Sequence, residues 1–178
     1  LSTVLSKLKE LKLNDESKKV LIEFYCARTQ DYACAEPVGK GIVALLENQS
    51  IPLKLVDRLA RCVFDEVRVP ALSQSTRSVF LHFFELMFSD QYIEATREMG
   101  ADFVFGIIQV IDGEKDPRNL LIAFQIVNKI MCDNENGLRN WTRFAEDLFD
   151  VVSCYFPITF RHQPTDPAAI TQETLVNA

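Results

Sequence analysis

The sequence is poor in the residues on which most catalysis depends. It holds two histidines, His82 and His162, and one tryptophan. Acid–base and nucleophilic chemistry needs polar groups converging on a cleft, with a histidine or a carboxylate pair of perturbed pKa at its centre. His82 lies among Phe80, Phe83 and Phe84, where a hydrogen-bonded packing histidine is expected. His162 stands between Arg161 and Gln163 in a loop, where it should face solvent. GxSxG elbows, P-loops and Rossmann glycine fingerprints are missing as well. The chain is therefore read as a non-enzyme, with no catalytic residue assigned.

Long apolar runs are also lacking. A membrane-spanning helix needs about 20 consecutive apolar residues, and the most apolar stretch, Val79 to Phe88, is interrupted by His82 and Glu85. No membrane association is expected. A basic excess is missing too: the net charge is −6, whereas nucleic-acid binding draws on a basic face that displaces counterions from phosphates. Lys7, Lys9, Lys12, Lys18 and Lys19 read as a solvated helix face, so direct nucleic-acid binding is not expected.

The five cysteines, Cys26, Cys34, Cys62, Cys132 and Cys154, form no CxxC pair, and their odd number would leave one thiol over in an oxidising compartment. They lack zinc or iron–sulfur ligand spacing and read as fillers of helix interfaces. Two glycosylation sequons, at Asn48 and Asn140, point the other way, but such tripeptides are common by chance. A reducing compartment, cytosol or nucleus, is the better reading. Asp112, Glu114 and Asp116 alternate like the start of a calcium loop, yet Pro117 stands where the loop glycine belongs and no closing glutamate follows. No metal and no cofactor are assigned.

What the chain has is helices. Hydrophobic residues are 48% and charged residues 25%, the balance of a globular chain. Leu55, Leu59, Cys62 and Val63 recur at helical spacing between Pro52 and Val67. After Val69-Pro70 a helix opens near Ser73 or Ser75 and carries the stripe Phe80, Phe83, Phe84 and Met87. Gly100 to Ile111 carries Phe103, Val104, Ile107, Ile108 and Ile111. The turn Asp112 to Asn119 follows, with Gly113 for flexibility, Asp116 as helix cap and Pro117 in the first helical position. The next helix bears Leu120, Leu121, Phe124, Val127, Ile130 and Met131. A unit from about Trp141 runs through Phe144, Leu148, Val151, Val152 and Tyr155 to Pro157. Val20–Arg28 and Val38–Glu47 form an earlier pair behind a short helix over residues 2–12. No alternating strand pattern is present.

These patterns predict an all-α chain, an α-solenoid of HEAT-type helical hairpins recurring about every 35 to 50 residues. Four hairpins are expected, at approximately 13–48, 52–89, 95–133 and 141–178, in a single segment. Because the sequence starts at Leu1 and stops inside a helical pattern, it is read as part of a longer solenoid. Solenoids expose ridges and a concave face suited to proteins or peptides. The candidate partner-binding residues are Asp112, Glu114, Lys115 and Arg118 on one edge, together with the loop over 157–167, although ordinary turn chemistry accounts for these residues too. Arg118 is expected to bridge to Asp112 or to a neighbouring repeat.

Three stretches carry a resemblance: Gly100 to Leu121, GADFVFGIIQVIDGEKDPRNLL; Glu146 to Phe160, EDLFDVVSCYFPITF; and the turn Pro164 to Pro167. They resemble the N-terminal region of the Mms-nineteen (Met-eighteen) family, a HEAT-repeat subunit of the cytosolic iron–sulfur protein assembly targeting complex. From Leu1 to Tyr92 mainly the helix pattern and Phe64 to Val67 agree. The resemblance implies a scaffold in cytoplasm and nucleus. Its partners would be the other targeting-complex subunits and apo iron–sulfur clients, including DNA helicases and polymerases of repair, replication and transcription. It supplies no motif-defined residue and no bound cofactor. A transport or phosphatase HEAT scaffold would share the periodicity but not DGEKDPRNLL or CYFPI. A metal or cluster carrier using the five cysteines is the reading from another class.

Overall fold

In the computed structural model the described residues are 12–132, 144–158 and 170–178. They form helices and connecting turns, with no strand among them. This is the all-α class that the periodicity implies. The helix expected over 2–12, the start of the unit at Trp141, His162 and most of the 157–167 loop lie outside the described residues.

The chain divides into two compact units, 1–99 and 100–178. In the first, the helices are α1 (Asp15–Arg28), α2 (Ala35–Asn48), α3 (Leu53–Glu66), α4 (Gln74–Leu86) and α5 (Ile93–Met99), with 3-10 turns at Tyr32–Cys34 and Val69–Ala71. Asn14 and Ser73 cap α1 and α4: their side chains accept from the amides of Ser17 and Thr76, satisfying N–H groups that a first helical turn leaves open.

Contacts skip along the chain. α1 packs on α3, α3 on α5, and α2 most extensively on α4, while α1 also touches its own hairpin mate α2. Two layers result, α1–α3–α5 and α2–α4. The stripe Phe80, Phe83, Phe84 and Met87 is fully buried. Phe64 of α3 stacks on Phe84 with ring centroids 4.7 Å apart. Of the stripe expected on α3, Leu59, Cys62 and Val63 lie inside, joined by Val56 and Ala60, while Leu55 is only half-buried. His82 is likewise not packed among the aromatics. Its side chain is 41% exposed, with Nε2 3.3 Å from Glu47 and Nδ1 3.2 Å from Glu85, because it projects from the rim of α4 toward α2.

The second unit contains α6 (Ala101–Ile111), α7 (Pro117–Cys132), α8 (Ala145–Ser153) and α9 (Gln172–Val176). It repeats the rule: α6 packs on α8 and α7 on α9, and α6 and α7 meet as a hairpin. Leu120 and Phe124 form a core with Ile170 and Leu175, and Tyr155 sets its ring edge-on to Phe124. Met131, assigned to the apolar stripe of α7, is 45% exposed, the penultimate residue of the helix. A pattern in which each helix packs on the one two positions along, seen in both units, is consistent with an α-solenoid.

Two glycines set how closely α2 approaches its neighbours. A Cβ on Gly39 would stand 2.9 Å from Val79 Cγ1 of α4, and one on Gly41 would land in the phenol ring of Tyr25 on α1. Glycine inside a helix is ordinarily worse than alanine by about 1 kcal/mol. Here the Tyr25 ring is buried and cannot move aside cheaply. Gly41→Ala is therefore expected to destabilise the chain by about 1–3 kcal/mol despite its better propensity, read as a lower urea midpoint. A raised midpoint would show that α1 and α2 are not held at this distance.

Candidate functional site

The turn joining α6 to α7 is built around a buried carboxylate. α6 ends at Asp112, whose N–H donates to the carbonyl of Ile108, and Gly113 follows at φ +74°, a conformation that side chains make costly. This reversal sends Glu114 inward, where it is 4% exposed. Its Oε1 accepts from the amides of Lys115 (2.8 Å) and Asp116 (2.9 Å), and its Oε2 accepts from the side-chain amide of Asn119 (3.0 Å). Asn119 itself is wholly buried. A buried carboxylate is tolerated only when hydrogen-bonded, and amides that precede or open a helix need acceptors; each requirement meets the other here. Glu114, grouped by sequence with the exposed turn residues, is thus an internal fastener rather than a contact surface.

Asp116 closes the turn from outside. Its carbonyl accepts from Leu120, its Oδ1 accepts from the amides of Arg118 (3.0 Å) and Asn119 (3.4 Å), and Pro117 is the first residue of α7. Arg118 folds back onto the same carboxylate, with Nε 3.1 Å from Oδ1 and Nη2 2.9 Å from Oδ2. This fork to Asp116 is a partner that the expectation for Arg118, a bridge to Asp112 or to a neighbouring repeat, did not include. Burial pushes the Asp116 carboxyl up, but the hydrogen bonds and charge of Arg118 outweigh it and hold the group below its ordinary value. From α8's end the Tyr155 hydroxyl donates to the carbonyl of Ile111 (3.0 Å), and burial raises that phenol to about 12. Asp112, Lys115 and Arg118 remain exposed on a turn fixed from beneath and from both ends. Such a set can offer charge of both signs to a partner; it aligns no nucleophile with a base.

The five cysteines fall in both units, Cys26, Cys34 and Cys62 in the first and Cys132 and Cys154 in the second. Cys26 and Cys62 lie together between α1 and α3. Cys34 donates to Asp31, Cys132 to Asn128 and Cys154 to the carbonyl of Val151. Among the described residues no three His, Cys, Asp or Glu side chains stand close enough to hold a metal ion. No helix among them is long and apolar enough to cross a membrane.

Fold and turn together define an all-helical protein made of hairpins in skipped contact, with a preorganised polar turn in its second unit. The comparisons give this class a family. The model described as Dos2-interacting transcription regulator of RNA-Pol-II (MMS19_N) matches residues 1–178. The MMS19 nucleotide excision repair protein homolog of Dictyostelium discoideum is 38% identical over 178 residues, all of this chain and 16% of the relative. The human homolog is 41% identical over 158 residues, 88% of the chain and 15% of the relative. The Drosophila melanogaster protein is 31% identical over 176 residues, 98% of the chain and 18% of the relative. The chain belongs to the MMS19 family, in its N-terminal region, and spans about one-sixth of the length of the curated relatives it matches.

Glu114→Ala would remove the Oε2 acceptor of the Asn119 side-chain amide and the Oε1 acceptor of two backbone amides. A loss of about 1–3 kcal/mol is expected for the buried donor alone. Calorimetry of the two proteins checks it; equal melting temperatures would mean that the turn is organised by something other than Glu114.

Proposed function

We propose that this chain is part of a non-catalytic, protein-binding HEAT-type scaffold that helps deliver iron–sulfur clusters to apo-proteins of DNA repair, replication and transcription. The observation that carries the reading is the match of the whole chain to the MMS19 family, whose members' names concern nucleotide excision repair and transcription by RNA polymerase II. The iron–sulfur role rests on the resemblance of Gly100–Leu121 and Glu146–Phe160 to a targeting-complex subunit. In this reading the scaffold works in cytoplasm and nucleus and holds no cofactor in this segment. It contacts the other targeting subunits or apo clients such as helicases and polymerases.

The net charge of −6 favours protein partners over nucleic acid. The exposed contacts would be Asp112, Lys115 and Arg118, displayed on the turn that Glu114 and Asp116 hold still. A rigid turn loses little conformational entropy when it docks, so its charges add specificity at low cost.

The test uses the full-length protein with and without the double substitution Asp112→Lys, Lys115→Glu, which spares the Glu114 and Asp116 fastenings. Each is offered to apo iron–sulfur helicases and polymerases and to the remaining targeting subunits. Capture of either class by the wild type, weakened about tenfold or more in the variant, is the expected result. Undiminished capture would remove the turn from the interface, and capture of neither class would overturn the scaffold reading.

A further inference from the structure

Cys26 and Cys62 are separated by 36 residues and belong to different helices, yet the packing of α1 on α3 sets them side by side. Cys62 Sγ donates to the carbonyl of Cys26 at 3.6 Å and lies 3.3 Å from Thr29 Oγ1. The two cysteines are 6% and 5% exposed, but they are not sealed: both line a cavity of about 210 Å³, with Glu23, Gln30, Arg58, Asp65 and Glu66 around it. Arg58 is held at its rim by Glu23, 3.6 Å away. A packing role alone would call for neither a second thiol nor an opening onto polar, water-sized space.

We propose that Cys26 and Cys62 form a redox-responsive dithiol, which a small hydroperoxide entering this cavity oxidises to a disulfide linking α1 to α3. The surroundings of Cys62 assign the roles: Thr29 Oγ1 stands 3.3 Å from its sulfur, and Arg58 lines the same cavity. Proximity to Cys26 lowers Cys62 to about 6 against the opposing effect of burial; Thr29 and the Arg58 charge add to the lowering, and the Glu66 charge opposes it. Proximity to Cys62, with burial, pushes Cys26 upward. The thiolate is the nucleophile in thiol oxidation, so Cys62 attacks first and Cys26 resolves.

In the first step the Cys62 thiolate attacks the terminal oxygen of ROOH. The O–O bond breaks, an S–O bond forms, and ROH leaves after taking up a proton, giving the sulfenic acid. In the second step the Cys26 sulfur attacks Cys62 Sγ, the S–O bond breaks, and water leaves with the Cys26 proton and the hydroxyl. Two thiols and one hydroperoxide become one disulfide, one alcohol and one water; the sulfurs lose two electrons and the peroxide oxygens gain them. Closing the bond brings the sulfurs to about 2.05 Å. Cys26 sits in the last turn of α1, where a helix end can yield to that approach.

The test treats the full-length protein with hydrogen peroxide, blocks remaining thiols by alkylation without reductant, and maps the peptides by mass spectrometry. A Cys26–Cys62 linked peptide, reversed by dithiothreitol, is the expected product. In Cys26→Ser, a dimedone adduct should accumulate on Cys62 instead, which a packing role would not produce. A melting curve of Cys26→Ser confirms that the variant is folded. The proposal fails if Cys62 remains alkylatable at peroxide doses that oxidise the exposed Cys132 and Cys154. It fails equally if Cys26 links to another cysteine, or if folded Cys26→Ser gives no adduct at Cys62.

Discussion

A helix with apolar residues on more than one side cannot satisfy itself with its hairpin mate, and this constraint organises both units. α2 and α4 show it most fully. The α4 stripe is buried without remainder, and Gly39 lets α2 come within reach of Val79 and Phe80. Tyr92 then fixes the end of the layer: its hydroxyl lies 3.0 and 2.9 Å from the carbonyls of Leu46 and Gln49, sharing its proton where α2 runs out of internal donors. Thr96 does the same for α4, donating to the carbonyl of Met87 at 2.9 Å. The burial of apolar faces chooses the neighbour, and these few polar groups fix the register.

The same economy shapes the α6–α7 turn. A carboxylate is placed inside because the donors around a helix start require an acceptor, and the charges left outside are thereby held in place. A turn that is firm without being apolar suits a scaffold, whose contacts must be presented rather than created on binding. In the proposed scaffold reading, the exposed charges on this edge are where recognition would fall.

Much of this was legible in the sequence, and the limits follow a pattern. Phe80, Phe83, Phe84 and Met87 could be placed because a 3.6-residue period requires only local information. Asp116 and Pro117 announced a helix start for the same reason. Glu114 could not be placed by spacing, since its burial depends on Asn119 turning inward five residues later. A count of unsatisfied amides before Pro117 is the signal that would have found it. Leu55 and Val56 are neighbours in an apolar run, and only the partner helix decides which of them faces in. The pairing of Cys26 with Cys62 is purely tertiary, created by the contact of α1 with α3, and no spacing rule records it.

The central claim is that helices are stabilised by the neighbour two positions along, α2 and α4 above all. Native-state hydrogen exchange of the folded chain tests this most directly, because amides that open together exchange with the same free energy and denaturant dependence. The interior amides of α2 and α4 should form one such group, the slowest of the first unit, with α1 opening earlier. If α2 instead exchanged together with α1 while α4 opened independently, the hairpin rather than the skipped contact would be the stabilising unit, and the account would be wrong.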